Sequence, residues 1–176
     1  MKSSKKGKGR KKRNALFVGR FQPFHNGHLN VIKKILKRSE KITIVIGGPE
    51  KRDERNPFSF RDRELMIRLA LHGEGISGKH YKIFKVFDVN GDDEWNVKIK
   101  KLGTFDVAYS RNPWVWRCLK KIGIPVRKHA FYERYKNCGR VVRSRISEGK
   151  AWKGLVPIAV YKFILKLKSA ERKIRS

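Results

Sequence analysis

The sequence is poor in acid, in cysteine and in long apolar runs, and each shortage closes off a class of protein. Only 15 of its 176 residues are Asp or Glu, against 45 Lys or Arg, so the formal net charge is +30. A surface this positive meets polyanions readily: nucleic acid, anionic lipid or nucleotide phosphates. Charge does not choose among them. Cys118 and Cys138 are the only cysteines. Two are too few for a disulfide framework, and no CxxC or Cys/His zinc spacing occurs, so a reducing, cytoplasmic compartment is expected. No apolar run has the length of a membrane span, and the N-terminus lacks the apolar stretch of a secretory signal, so no membrane role is expected. Apolar content of 39% and four tryptophans argue against global disorder.

Residues 1–13 hold eight Lys or Arg and no large apolar side chain after Met1. They read as a basic tail that binds RNA, targets the chain or is simply solvated. Strand and helix then alternate. Apolar runs at 15–19, 41–46, 81–86, 105–109 and 124–127 read as strands, and 28–38, 60–72, 95–101 and 113–122 as helices between them. Ser59 is placed to cap the helix that starts at Phe60. From residue 141 the pattern is helical, Val141–Glu148 and then Val156–Lys168, with Pro157 in the first turn of the latter. The expectation is an α/β domain over 14–168, a Rossmann-like doubly wound parallel sheet with a helical C-terminal segment, and a basic tail at 169–176. Ligands of such sheets bind outside the carboxyl ends of the strands.

The segment Gly19-Arg20-Phe21-Gln22-Pro23-Phe24-His25-Asn26-Gly27-His28 lies at such an end, between a strand and a helix N-terminus. Backbone N–H groups and the helix dipole favour an anion there, and two histidines can face it. Imidazoles in that position stabilise charge growing on a leaving group. Arg55 follows the second strand and is a two-pronged phosphate clamp. Arg61, Arg63 and Glu64 read as a solvated helix face. In Asp88-Val89-Asn90-Gly91-Asp92-Asp93-Glu94-Trp95 the acids partly imitate a calcium loop, but no Glu stands at its twelfth position, which excludes that motif. Trp95 is placed either to stack on a planar ring or to fill the core. Ser110 and Asn112 either contact a ligand or cap the next helix, and Arg111 beside them can neutralise phosphate. Gly139 opens a helix on which Arg140 and Arg143 share a face, one able to enter a site while the other is solvated.

Taken together these residues resemble a known family. GRFQPFHNGHL carries the HxGH signature of the nucleotidyltransferase superfamily, and NPFSFRDRELMIRLAL, VFDVNGDDEW, FDVAYSRNPWVWR and EGKAWKGLVPIAV are similar, in order and spacing, to segments of the archaeal-type nicotinamide mononucleotide adenylyltransferases. The resemblance runs from about residue 15 to 165. It implies that ATP is a substrate, that His25, His28 and Arg143 are the catalytic groups, and that Gly19, Arg20, Phe21, Arg55, Ser110 and Asn112 hold ATP and its phosphates, with Arg140 expected to join them by its charge where the family has Thr. It also implies an acceptor site at Asp92 and Trp95, and Mg²⁺ carried on the substrate with no protein metal ligand. The partners it implies are ATP and nicotinamide mononucleotide (NMN), which would yield NAD and pyrophosphate. A homo-oligomer follows from it as well, and the basic tails add weak nucleic-acid binding.

The chain departs from the family at Cys138-Gly139-Arg140-Val141-Val142-Arg143, where the pattern has Ser-Gly-Thr-Glu-Ile/Val-Arg, and at Asp92, where it usually has Asn. Two alternatives follow. One is a nucleotidyltransferase with another phosphorylated acceptor, and the other is an inactive relative that binds nucleic acid.

Overall fold

A computed structural model describes residues 13–48, 50, 52–87, 89, 91–128 and 138–175, with side chains to residue 170. Residues 1–12 of the basic tail, with Asp88 and Asn90, lie outside the described residues. Five strands, β1 (Asn14–Gly19), β2 (Lys41–Gly47), β3 (Tyr81–Val86), β4 (Val107–Tyr109) and β5 (Val126–Arg127), form one sheet in the order β3-β2-β1-β4-β5. Every pairing is parallel, with Phe17 opposite Ile44 on one side and Tyr109 on the other. The order reverses at β1, which has β2 on one side and β4 on the other. The carboxyl ends of β1 and β4 therefore flank a switch-point crevice, where open α/β sheets take ligands.

Alternation along β1 sorts the core into two layers. Ala15 and Phe17 pack with α1 (Asn26–Leu36), α2 (Phe60–Gly73), α5 (Gly139–Ser147) and α6 (Ile158–Arg175). Leu16, on the opposite face, packs with α3 (Asp92–Lys101) and α4 (Pro113–Lys121). α1 buries Leu29, Val31, Ile32 and Ile35, worth about 1.5–3 kcal/mol for each large aliphatic chain removed from water. Ser59 caps α2 as expected: its hydroxyl accepts from the Asp62 N–H at 3.1 Å, and the Asp62 carboxylate accepts the Ser59 N–H at 2.8 Å.

Several boundaries differ from the sequence expectation, α1 and α5 each starting two residues early among them. α3 begins at Asp92 instead of 95, because Asp92, Asp93 and Glu94 favour the positive end of the helix dipole. Pro157 stands one residue ahead of α6, and its carbonyl takes the Tyr161 N–H. α6 runs on to Arg175, so through that residue the segment 169–176 continues a helix. An apolar face that includes Val160 and Ile164 anchors the helix on the core.

Candidate active site

The turn after β1 is shaped by its aromatic residues. Phe21 takes a positive φ of 52° and folds its ring back over Gly19. A Cβ at Gly19 would come within 2.9 Å of that ring, so the position requires glycine. His25 is the N-cap of α1, and its backbone N–H donates to His28 Nδ1 at 3.3 Å, one half of a reciprocal capping arrangement. The two imidazoles stack with centroids 3.6 Å apart, and the rings of Phe17, Phe21 and Phe24 surround His28. The pair is thus held rigidly at the positive end of the α1 dipole. Asn26 Nδ2 donates to the Gly154 carbonyl at 2.9 Å and ties this helix start to the turn before α6.

Two clips bring distant arginines to the same place. Gln22 is buried and grips the Phe58 backbone in both directions, at 2.8 and 3.0 Å. This fixes the turn at 53–58, in which the Asp53 carboxylate accepts the N–H groups of Arg55 and Asn56, to the loop after β1. Arg143 donates from Nη1 to the Gln22 carbonyl at 2.6 Å. A Cβ at Gly139 would stand 2.7 Å from that same carbonyl, so only glycine lets the start of α5 approach so closely. Burial, and then the neighbouring Arg20 charge, lower the proton affinity of Arg143, with Arg55 adding to the effect. Arg20, Arg55 and Arg143 therefore share one electrostatic neighbourhood, in which Asp53 partly offsets the positive charge.

Two cavities open beside this cationic point. The first, about 680 Å³, is lined by Arg52, Arg55, Phe58, Arg140, Arg143 and Lys168 among others. The second, about 800 Å³, lies over the carboxyl end of β1 and is lined by Gly19, Arg20, Gly47, Trp95, Asn112 and Trp114 among others. Of the expected site residues, Arg55, Arg140 and Arg143 line the first cavity, and Gly19, Arg20, Trp95 and Asn112 the second. Phe21, His25, His28 and Ser110 line neither: Phe21, His25 and Ser110 are buried and His28 is half-buried. Ser110 works within the fold: its Oγ accepts the Asn112 N–H at 3.2 Å, and its carbonyl takes Trp116 Nε1 at 2.9 Å. Asn112 caps α4 through the Trp114 N–H at 3.0 Å and also lines the second cavity.

Asp92 lines neither cavity. Its carboxylate is taken by Trp114 Nε1 at 2.8 Å, by Arg117 at 2.9 and 3.1 Å and by Lys121 at 3.1 Å. Bonds first from Arg117 and then from Lys121 hold it well below the usual carboxylate range. Trp95 is 3% exposed and packs edge-on against Trp114 with centroids 5.2 Å apart. It is therefore a core residue that reaches the cavity wall.

Arg63 corrects the sequence reading outright. It is fully buried, not solvated. Nη1 donates to the carbonyls of Arg20 at 2.9 Å and Gly47 at 3.0 Å, Nη2 to Gly48 at 3.1 Å and Nε to Ser59 at 3.2 Å. One guanidinium thus holds the ends of β1 and β2 to the first turn of α2. Arg61 is exposed and Glu64 pairs with Arg68 four residues on, as a solvated face requires. The signal for Arg63 was available: it stands three, four, seven and eight residues before buried Met66, Ile67, Ala70 and Leu71, on the apolar stripe of α2.

Residues 16–175 match the family model described as cytidylyltransferase-like. The chain belongs to the cytidylyltransferase-like family. Within it, the chain is 39% identical over 162 residues to the nicotinamide-nucleotide adenylyltransferase of Methanolobus tindarius, which covers 91% of this chain and 92% of the relative. It is 36% identical over 159 residues to the enzyme of the same name from Saccharolobus solfataricus, covering 89% and 92%. Among solved structures, a bifunctional NMN adenylyltransferase/ADP ribose pyrophosphatase from Francisella tularensis, complexed with AMP and a manganese ion, superposes with a TM-score of 0.71 at 25% identity. That match covers 82% of this chain and 44% of the other, so the chain spans less than half of that protein. The two matches to nicotinamide-nucleotide adenylyltransferases extend over nearly the whole length of these relatives.

Proposed function

We propose that the protein transfers the adenylyl group of ATP to NMN, forming NAD and releasing pyrophosphate. The observation that carries this reading is the convergence of Arg20, Arg55 and Arg143 on the helix start that holds His25 and His28, beside a second cavity walled by tryptophan. The first set suits a triphosphate and the second a nucleoside with a planar ring.

An oxygen of the acceptor 5′-phosphate attacks the α-phosphorus of ATP, a P–O bond forms, and the bond to the β-phosphate bridging oxygen breaks with its electrons leaving on pyrophosphate. The attacking oxygen is already anionic, so neither a general base nor a covalent enzyme intermediate is required. Catalysis then consists of positioning and charge stabilisation. Arg20, Arg55 and Arg143 offset charge on the phosphates, and the His25–His28 pair donates hydrogen bonds where charge grows on the leaving group. Arg140, exposed at the rim of the first cavity, adds a cation on the pyrophosphate side. Among the described residues no group of three His, Cys, Asp or Glu is placed to hold a metal ion. The divalent cation, which we take to be Mg²⁺, enters on the triphosphate and keeps substrate oxygens and water as ligands.

Purified protein is tested with ATP or CTP against NMN, nicotinate mononucleotide and phosphopantetheine, read by pyrophosphate release and by NAD formation. NAD formed from ATP and NMN supports the reading. Pyrophosphate released only with another acceptor, or with none, overturns it.

A further inference from the structure

The Asp92 carboxylate is engaged by the fold itself, and its geometry gives it a structural task. Asp92 is the first residue of α3, and Trp95 stands one turn on. On α4, Trp114, Arg117 and Lys121 recur at i, i+3 and i+7 and so share one face. That face meets Asp92: Oδ1 accepts from Trp114 Nε1 at 2.8 Å and from Arg117 Nη2 at 3.1 Å, and Oδ2 from Arg117 Nε at 2.9 Å and Lys121 Nζ at 3.1 Å. A carboxylate offers about four lone-pair sites; these four bonds, with the Cys118 thiol also bonded to the carboxylate, leave none for a substrate amide. Arg117 and Lys121 are themselves largely exposed, so each ion pair alone is screened. The bidentate guanidinium and the indole N–H supply direction instead.

The consequence falls on the second cavity. Trp95 and Trp114 both line it, but Trp95 is almost wholly buried, whereas Trp114 is only half-buried and meets it edge-on. The accessible aromatic surface therefore belongs mainly to Trp114, with Trp95 as its backing. We propose that Trp114 contacts the planar ring of the acceptor nucleotide, and that Asp92 is a positioning residue that holds the Trp114 indole through its N–H and clamps the first turns of α3 and α4 together. This deepens the proposed function and rests on it.

The test is steady-state kinetics with NMN and ATP varied separately, for Trp114→Phe, Asp92→Ala, Asp92→Asn and the double variant Asp92→Ala/Trp114→Phe. Trp114→Phe keeps a ring but removes the N–H, so it should reproduce the loss of the tether. Both it and Asp92→Ala should raise KM for NMN about fivefold, the size of one loosened aromatic contact. KM for ATP and kcat should change less than about twofold. Asp92→Asn keeps an oxygen for the indole and should recover most of the loss, and the double variant should be no worse than the poorer single one. Equal rises in both KM values, or additive single effects, would overturn the proposal. Should Asp92→Ala fail to fold, Trp114→Phe and Asp92→Asn decide the matter alone. The two layers separate cleanly: wild-type protein inactive on NMN defeats the proposed function, whereas active wild type with unchanged variants defeats only the role of Asp92 and Trp114. If wild type is inactive, tryptophan quenching by NMN that is lost in Trp114→Phe still supports the contact, and its persistence overturns it.

Discussion

Arg63→Met should be the most damaging single substitution near the site. The guanidinium serves four carbonyls, but Ser59 keeps a second partner in the Arg63 backbone N–H at 3.1 Å. Three carbonyls, of Arg20, Gly47 and Gly48, then lose the donor that Arg63 gives them. An orphaned buried acceptor costs about 1–3 kcal/mol, so the gross loss is about 3–9 kcal/mol. Relief from burying a cation returns part of this, and a net loss of about 3–5 kcal/mol is expected for removing one side of a buried charged network. That is a large share of the roughly 5–15 kcal/mol that holds a domain folded. At this chain length it corresponds to a fall in Tm of about 6–20 °C. Arg63→Lys keeps the charge but cannot reach all the carbonyls, and should fall between. Urea unfolding followed by circular dichroism measures both. A midpoint for Arg63→Met that implies less than about 1 kcal/mol of destabilisation would refute the accounting. The folded fraction should also lose kcat/KM for ATP, because Arg63 pins the peptide that carries Arg20.

Other outcomes follow from the same geometry. His28→Ala should lower turnover at least about tenfold, as loss of a transition-state hydrogen bond does, and unchanged turnover in a single-turnover quench experiment would remove it from the chemistry. Gly139→Ala places a methyl 2.7 Å from the Gln22 carbonyl, so it should cost about 1–3 kcal/mol in a melting experiment and displace Arg143 from the site. Cys138 caps α5 with extended backbone and no side-chain bond, so Cys138→Ser should add about 0.5–2 kcal/mol by supplying a hydroxyl to the first turn, read as a rise in Tm. Burial pushes the Cys118 thiol up to about 11, while Cys138 is partly exposed. Iodoacetamide at pH 8 should therefore label Cys138 and spare Cys118, as peptide mass spectrometry would show.

Much of the fold was legible because the signals were local. The strand runs at 15–19, 41–46 and 81–86 fall within a residue of β1, β2 and β3, and the helix pattern from Phe60 matches α2 with its Ser59 cap. Strand-helix alternation then leaves few topologies, and right-handed crossovers select the doubly wound one. The strands at 105–109 and 124–127 were read too long, since only Val107–Tyr109 and Val126–Arg127 find ladder partners. In the site, glycine was a reliable marker: Gly19 and Gly139 both stand where a Cβ would collide. What no local pattern could give was the division into two cavities, since Gln22 ties the loop after β1 to Phe58, 36 residues on, and to Arg143, 121 residues on.

The fold engages two charged residues, Arg63 and Asp92, through partners remote in sequence. A charge reads as solvated or ligand-facing unless its partner is visible, and here the partners are distant in sequence. Arg63 is satisfied by carbonyls at the ends of two strands, 15 to 43 residues away. Asp92 is satisfied by donors 22 and 25 residues on, across a helix pair. Both lie beside the candidate site without lining either cavity, one beneath the loop after β1 and the other behind Trp114. A chain carrying +30 thus sets a guanidinium against backbone at one point, and at another spends one of its 15 acids on tying helices together. The shape of the candidate site depends in part on charges that line neither cavity. Substitutions at 63 and 92 should accordingly alter affinity and stability before they alter the chemical step.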